Sequence, residues 1–570
     1  MILHGNAVSP GMASGIVYIY RPFHVDVKEA FCAPEEAESH LARYEEAKKT
    51  AARELERVAA ALANDSEKAK IFTAHKDILD DVAINEEIHN GILQNRWDGA
   101  WAISKVYAQF IKMMKRVSDP LIRERYADFA DVQKRLLRIW FNGEEQDLGA
   151  LEDPVILATH DLFPSDTASL NRGKVLAILT EAGGTASHSA IIARSYEIPA
   201  IVGIANLLEL LRPGMTAAVD ALTGEVHTDP DKTFLDTFGE KRREFLRKRM
   251  ETKTYLGKEP LTADGQRIDI GLNIGNAGEE ELAGEAYTDF VGLFRTEFLY
   301  MGKDSLPDEE EQFTVYKEVL ERYGKRPVTL RTLDIGGDKT LDYMELPKED
   351  NPFLGNRALR FCFSRPDIFK TQIRAALRAS VYGNLWLMLP MVGSIENIRE
   401  AKQIIGEVQS ELKEKGISYN SDMKIGIMIE IPSIAIMAKE AAAEVDFASI
   451  GTNDLCQYLC AVDRMNPEVS RYYQNFHPAL FRLIGSAVQG FAEKPICVCG
   501  ELGGNPPAAA VLVGLGMRKL SMGLASVAPV KRMLSTLSLA KAKELAETAL
   551  AFSTAKEVES YLKDQLEQLK

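Results

Sequence analysis

The spacing of apolar positions changes several times along this chain, and each change marks a different kind of element. Residues 1 to 20 alternate apolar and small side chains, with Ile2, Val8, Ile16, Val17 and Ile19 among them and a Ser9-Pro10-Gly11 turn between, which predicts two short strands. From Pro34 and Glu35 onward, Leu41, Tyr44, Ala51, Leu55, Val58 and Leu62 fall on a seven-residue spacing, the mark of a helix packed along one seam. Helical spacing continues through Ile71 to Ile92, Ala100 to Val117 and Asp128 to Trp140. The stretch predicts an all-helical unit of about 120 residues, a bundle or paired hairpins.

After Gly143 short apolar runs alternate with helical stretches: Val155 to Ala158, Thr167 to Leu170, Val175 to Leu179, Ala200 to Val202 and Ala217 to Val219. Such alternation predicts an α/β unit. Two strands at residues 1 to 20 cannot stand alone, so they are expected to complete this unit, with the helical block inserted into it. Residues 234 to 253 are charged almost all round, with Phe234, Phe238, Phe245 and Leu246 as a thin apolar contribution. A helix that polar suits a bridge through solvent, although an ordinary surface helix has the same pattern.

Eight further apolar runs follow: Ile268 to Leu272, Val291 to Phe294, Val328 to Leu330, Leu385 to Val392, Ile425 to Ile429, Phe447 to Ile450, Ile496 to Val498 and Lys519 to Met522. Eight β-α units predict a (β/α)8 TIM barrel. The fold class expected is therefore multidomain α/β. It has an α/β domain at 1–20 and 145–230, an inserted helical domain at 21–144, a helical linker at 231–258 and a barrel at 259–570.

Composition adds exclusions. At 570 residues, 46% hydrophobic and 26% charged, the chain resembles an ordinary soluble protein of several domains. Its formal charge of −15 argues against nucleic acid as a partner. No apolar run approaches a membrane span and no signal peptide is evident at residues 1 to 15, so a cytoplasmic location is expected. The six cysteines do not suggest a disulfide framework. Cys456 with Cys460 and Cys497 with Cys499 have spacings that do not match paired zinc knuckles.

Chemistry concentrates at two places. In GGTASHSAIIAR, residues 183 to 194, His188 follows two glycines at the predicted start of a helix. Glycine-freed backbone N–H groups and a helix N-terminus favour an anion there, so His188 is a candidate to carry a phosphoryl group; a packed histidine at a helix start fits the local motif as well. The second place is the set of predicted carboxyl ends of the barrel strands, which carry Arg295 and Glu297, Arg331, Asp334 and Lys339, Glu430, Asn453 and Asp454, Cys499 and Glu501. Arg295, Arg331, Arg357 and Arg464 suit a small, multiply charged anion. Glu430 and Asp454 supply hard oxygens of the kind magnesium takes together with substrate oxygens and water. Cys499, at a strand end before Gly500, is expected to place its thiol at the rim, where it could exchange a proton.

At these residues the chain resembles Enzyme I of the bacterial sugar phosphotransferase system along essentially its whole length. GGTASHSAIIAR is similar to the family's phosphohistidine signature and DFASIGTNDLCQYLCAVDR, residues 446 to 464, to its second signature. FRTEFLYM at 294, TLDIGGDK at 332, NPFLGNRALR at 351 and VCGELGG at 498 also match in order. The resemblance implies that phosphoenolpyruvate binds in the barrel, with magnesium on Glu430 and Asp454. Arg295, Arg331, Arg357, Arg464, Asn453 and Lys339 would hold its phosphate and carboxylate. His188 would take the phosphoryl group, steadied by Thr167, and Cys499 would protonate the enolate to pyruvate. The phosphoryl group would then pass to the histidine of a small carrier, HPr, docked on the helical domain; a homodimer through the barrel is implied too. Departures are Ala186, where the family usually has threonine or asparagine, Asn356 in place of a common tryptophan, and Gly503 and Asn505 after Cys499. They leave open a diverged paralogue serving another carrier, or a non-catalytic regulator that binds phosphoenolpyruvate.

Overall fold

The structure is a computed structural model. It describes the chain apart from residues 24, 62–65, 116–124, 144–145, 147, 164, 167–169, 185–186, 302, 304, 338, 340, 342, 345–346, 348, 467 and 570, and the side chains of 61, 66–71, 115, 188 and 195. Contacts divide it into two compact units, Met1–Lys248 and Arg249–Lys570.

The first unit is built on an eight-stranded sheet. Its strands are β1 (Ile2–His4), β2 (Asn6–Ser9), β3 (Met12–Ile19), β4 (Val155–Thr159), β5 (Val175–Thr180), β6 (Ala200–Val202), β7 (Thr216–Asp220) and β8 (Glu225–Thr228), in the order β1-β8-β7-β3-β4-β5-β6-β2. Residues 1 to 20 thus form three strands where the apolar pattern suggested two. Only Gly5 separates β1 from β2, yet β1 pairs with β8 and β2 with β6 at opposite margins of the sheet. The apolar run at Thr167 to Leu170 falls largely on 167–169, outside the described residues.

Between β3 and β4, which pair in parallel from Ile16↔Val155 to Ile19↔Ala158, runs a block of helices. These are α1 (Ala37–Ala61), α2 (Ser66–Asp80), α3 (Val82–Leu93), α4 (Gly99–Lys115) and α5 (Tyr126–Trp140). Tyr44, Ala51 and Leu55 of the seven-residue seam are buried together with Ile84, Ile88, Ile103 and Leu136. The spacing from Ile71 to Ile92 is interrupted at Asp81, whose carboxylate accepts from the N–H of Ile84 at 3.0 Å and caps α3. His40, His75 and His89 of this block each meet a carboxylate, Asp98 at 3.3 Å, Asp128 at 3.1 Å and Glu45 at 2.7 Å.

The polar stretch forms α6 (Lys232–Lys253), in which Phe238 is buried. Phe234, Leu235 and Phe245 pack with Phe238 on Met12 and Ala218 of the sheet, whereas Leu246 is exposed. The start of this helix is therefore anchored by a small apolar cluster rather than solvated all round.

The second unit is a closed barrel of eight parallel strands: β9 (Asp269–Ile274), β10 (Phe290–Arg295), β11 (Pro327–Arg331), β12 (Asn384–Leu389), β13 (Lys424–Ile429), β14 (Phe447–Ile450), β15 (Ile496–Val498) and β16 (Lys519–Met522). The ring closes where β16 pairs with β9, Met522 opposite Leu272. Alternate side chains point into the barrel or onto its helices. Leu293, Trp386, Met388, Met428 and Phe447 fill the interior, while Leu387, Leu389, Ile427 and Ile429 join the outer core. All eight apolar runs coincide with strands because strands buried on both faces read as continuous hydrophobic segments. The exception in extent is Leu385 to Val392: β12 stops at Leu389, ahead of Pro390 and of Met391 at φ +52°.

Candidate active site

In the first unit the local chain around His188 follows from its small residues. β5 ends at Thr180, Gly183 turns at φ +97°, and α7 (His188–Ser195) begins at His188. A Cβ on Gly183 would lie 2.8 Å from the Ser187 hydroxyl, so glycine serves both the turn and the close approach. Ser187 caps the helix by accepting from the N–H of Ala190 at 3.3 Å. His188 is thus the first residue of a helix whose N-terminal dipole favours negative charge. Thr167 and Ala186 lie outside the described residues.

In the barrel unit, the carboxyl ends of the strands surround a cleft of about 630 Å³. Arg295 ends β10, Arg331 ends β11, Glu430 follows β13 and Cys499 follows β15. Asn453 and Asp454 stand in the first turn of α8 (Thr452–Cys460), directly after β14. Each of these residues, with Lys339 and Arg464, lines the cleft. Gly451 leaves room for the Glu430 carboxylate, since a Cβ there would come within 2.9 Å of Glu430 Oε2.

Buried charges interlock around this cleft. Arg331 donates to Glu297 Oε1 at 2.5 Å and lies 3.0 Å from Asp334, while Lys339 donates to Glu297 at 2.7 Å and to Asp334 at 3.0 Å. Burial alone would raise the Glu297 carboxyl, but Arg331 and Lys339 outweigh it and hold it below the usual range. Asp334 is driven further down against the same burial by Arg357, Lys339 and Arg331. Arg295, in contrast, makes no ion pair with any described residue and faces the cleft, and the second oxygen of Glu297 and the Nε of Arg331 are buried without a hydrogen-bond partner.

Arg357 corrects the expectation of a rim arginine. It has no solvent exposure and does not line the cleft; it lies behind the wall, donating to Asp334 Oδ1 at 3.0 Å, Asp454 Oδ1 at 3.4 Å and Tyr458 Oη at 3.2 Å. Cys499 needs a correction too. Its thiol borders the cleft from a buried position, 4% exposed, and packs with Leu293 and Met428 inside the barrel. Burial pushes it up to about 11, so near neutral pH it is a thiol, able to give a proton.

The two carboxylates differ. Glu430 accepts from the N–H of Met391 at 2.6 Å and is pushed up to about 8, first by burial and then by Asp454 and Asp334. Asp454 receives Arg357 and, at 3.6 Å, Arg464. Among the described residues no group of three or more His, Cys, Asp and Glu side chains could hold a metal, so a cation here would draw its remaining ligands from substrate and water. Glu430 and Asp454 offer hard oxygens at the ends of paired strands, and that donor set fits a hard divalent ion.

Neighbours that sequence reasoning did not single out complete the site. Asn273 donates to the Cys499 carbonyl at 2.9 Å and accepts from Ser521 at 2.6 Å, which fixes the backbone behind the thiol. Tyr458 donates to the Phe353 carbonyl at 2.6 Å and meets Arg357. Both are neutral residues, and their only signal was a position at a strand end or one helical turn after Asp454.

Comparison with known proteins first gives the class. The family model for PEP-utilising enzymes matches in three parts: the PEP-binding domain at 249–539, the N-terminal part at 4–125 and the mobile domain at 151–224. The chain is 40% identical to the phosphoenolpyruvate-protein phosphotransferase of Bacillus sp. (strain S), over 98% of this chain and 97% of the relative. It is 39% identical to that of Bacillus subtilis (strain 168) and 37% identical to that of Haemophilus influenzae, each over 99% of both chains. The chain belongs to the phosphoenolpyruvate-protein phosphotransferase family.

Proposed function

We propose that the protein phosphorylates its own His188 from phosphoenolpyruvate, releases pyruvate, and hands the phosphoryl group to the histidine of an HPr-like carrier docked on the helical block. The observation that carries this reading is the barrel cleft. An arginine without an ion pair, further arginines and a lysine, two adjacent carboxylates and a buried protonated thiol converge there at the strand ends.

Arg295, Arg331, Lys339, Arg464 and Asn453 bind and orient the phosphate and carboxylate of the substrate, and Arg357 acts from behind by holding Asp334 and Asp454 in place. The bond between phosphorus and the enol oxygen breaks as a bond from phosphorus to an imidazole nitrogen of His188 forms. The enolate left behind takes a proton at C3 from the Cys499 thiol and becomes pyruvate. Phosphoryl transfer asks for positioning and charge stabilisation above all, which such a cleft supplies. Glu430 and Asp454 would hold magnesium, which supplies positive charge to the phosphate oxygens when bound. Thr167 is assigned to steady the imidazole. The linker α6 is assigned as the hinge that lets the histidine unit serve the barrel and then the carrier.

The same reading takes the protein as a cytoplasmic homodimer joined through the barrel. The exposed apolar Ile436 and Met437 after β13 support the dimer. None of the described helices is long and apolar enough to cross a membrane.

Incubation with phosphoenolpyruvate and magnesium, followed by intact mass, tests the reaction. Acid-labile phosphate is expected on the native protein and not on His188→Ala. Absence of phosphate from both, with the fold intact, refutes it.

A further inference from the structure

The loop after β4 is tied to everything around it. Thr159 Oγ1 donates to the Asp161 carbonyl at 3.1 Å, and Ser165 donates to Asp131 of α5 twice, from its hydroxyl at 2.7 Å and from its N–H at 3.0 Å. Asp166 accepts from Tyr20 of the sheet at 2.6 Å and from Lys134 of α5 at 3.0 Å. A fourth tie reaches the helix of the phosphoacceptor. Ser189, the residue after His188, has no solvent exposure, and its hydroxyl donates to Asp161 Oδ1 at 2.7 Å. The N–H of Leu162 closes the arrangement by donating to the same Asp161 oxygen at 2.8 Å.

A hydroxyl in the first turn of a helix usually turns outward or bonds its own backbone. Here it is buried and spent on a carboxylate 28 residues away, in a loop whose Ser165 and Asp166 are bonded to α5 and to Tyr20. Position and rotation of the first helical turn are thereby set by the loop, and α7 is only eight residues long, too short to hold its own course. Its Ser187 cap closes the backbone of that turn but does not fix it to a neighbour.

We propose that Asp161 is a positioning residue for phosphoryl transfer, acting through Ser189 on the turn that carries His188. The proposal rests on the reading of His188 as phosphoacceptor. Because Asp131 and Lys134 of the helical block hold the same loop, the block that would receive the carrier also sets where the phosphoacceptor turn stands.

The test uses the full chain carrying Ser189→Ala, Ser189→Thr or Asp161→Asn, with single-turnover phosphorylation of His188 followed against phosphoenolpyruvate concentration. Ser189→Ala and Asp161→Asn are expected to lower the limiting rate about ten- to hundredfold, the scale of a small misplacement of a reacting group. The half-saturating phosphoenolpyruvate concentration is expected to stay unchanged, since the substrate cleft is in the other unit. Ser189→Thr, which keeps the hydroxyl, is expected to return the rate to within about threefold of native, a rescue that a merely destabilised fold would not show. Should Ser189→Ala fail to fold, Asp161→Asn carries the same measurement. Native-like rates in both Ser189→Ala and Asp161→Asn overturn the proposal, as does a threonine variant as slow as the alanine one. A native protein that takes no phosphate at His188 instead removes the reading beneath it.

Discussion

Arg357 reaches Asp454 across 97 residues of sequence, Nη1 to Oδ1 at 3.4 Å, from a position wholly shielded from solvent. The pair makes Arg357 a support for a candidate metal ligand as much as a binder of anions. Breaking a buried ion pair from one side costs about 3–5 kcal/mol, because the partner is left charged and alone. Arg357→Met is therefore expected to lower the melting temperature of the barrel transition in calorimetry of the full chain and to weaken magnesium binding. Arg295→Met, whose arginine has no such pair, is expected to leave the transition near native while still raising the phosphoenolpyruvate requirement.

Glu430 gives a pH dependence with a definite sign. Its carboxyl is raised from 4.5 to about 8, so the folded barrel prefers it protonated. Stability from this group is fully present below 4.5 and is lost as pH rises toward 8, since the unfolded chain ionises first. On the proposed reading magnesium would displace that proton, so its affinity is expected to climb with pH up to about 8 and then level off. Titration calorimetry at several pH values checks this, and Glu430→Gln is expected to abolish the climb.

On the proposed mechanism, Cys499→Ala removes the proton source for C3 without touching a cation of the cleft. General acid catalysis contributes about 10²–10⁴-fold, and turnover to pyruvate is expected to fall within that range. Binding of phosphoenolpyruvate, followed by calorimetry on a His188→Ala background, is expected to stay close to native.

Asp81 offers a test away from the chemistry. Its carboxylate caps α3, and Asp81→Ala is expected to cost about 1 kcal/mol, read as a lower urea midpoint of the first unit with barrel unfolding unchanged.

Much of this was legible in the chain because the barrel strands are buried on both faces and announce themselves as apolar runs. The residues at strand ends followed from that ladder, and Glu430, Asn453, Asp454 and Cys499 fell where a parallel barrel exposes its chemistry. Other features depend on contacts that no local window contains. Arg357 reads in sequence as one more anion-binding arginine, and only its meeting with Asp334 and Asp454 inside the protein reveals a buried position. Cys499 follows a strand, which predicts a thiol at the rim, whereas it borders the cleft from a buried position packed with Leu293 and Met428. β1 and β2 were merged because three- and four-residue strands carry too few alternations to be told apart.

That separation by Gly5 alone, with β1 on β8 and β2 on β6, has a bearing on biosynthesis. Residues 2 to 9 are stitched to segments ending at Thr228, so the sheet cannot seal its margins until more than two hundred further residues have emerged. The helical block draws its buried core from residues 37 to 140 and is free to settle first. Nascent chains arrested shortly before β8 should therefore carry a folded helical block beneath an unsealed sheet, a state in which the turn bearing His188 already exists but its scaffold is still open along one side.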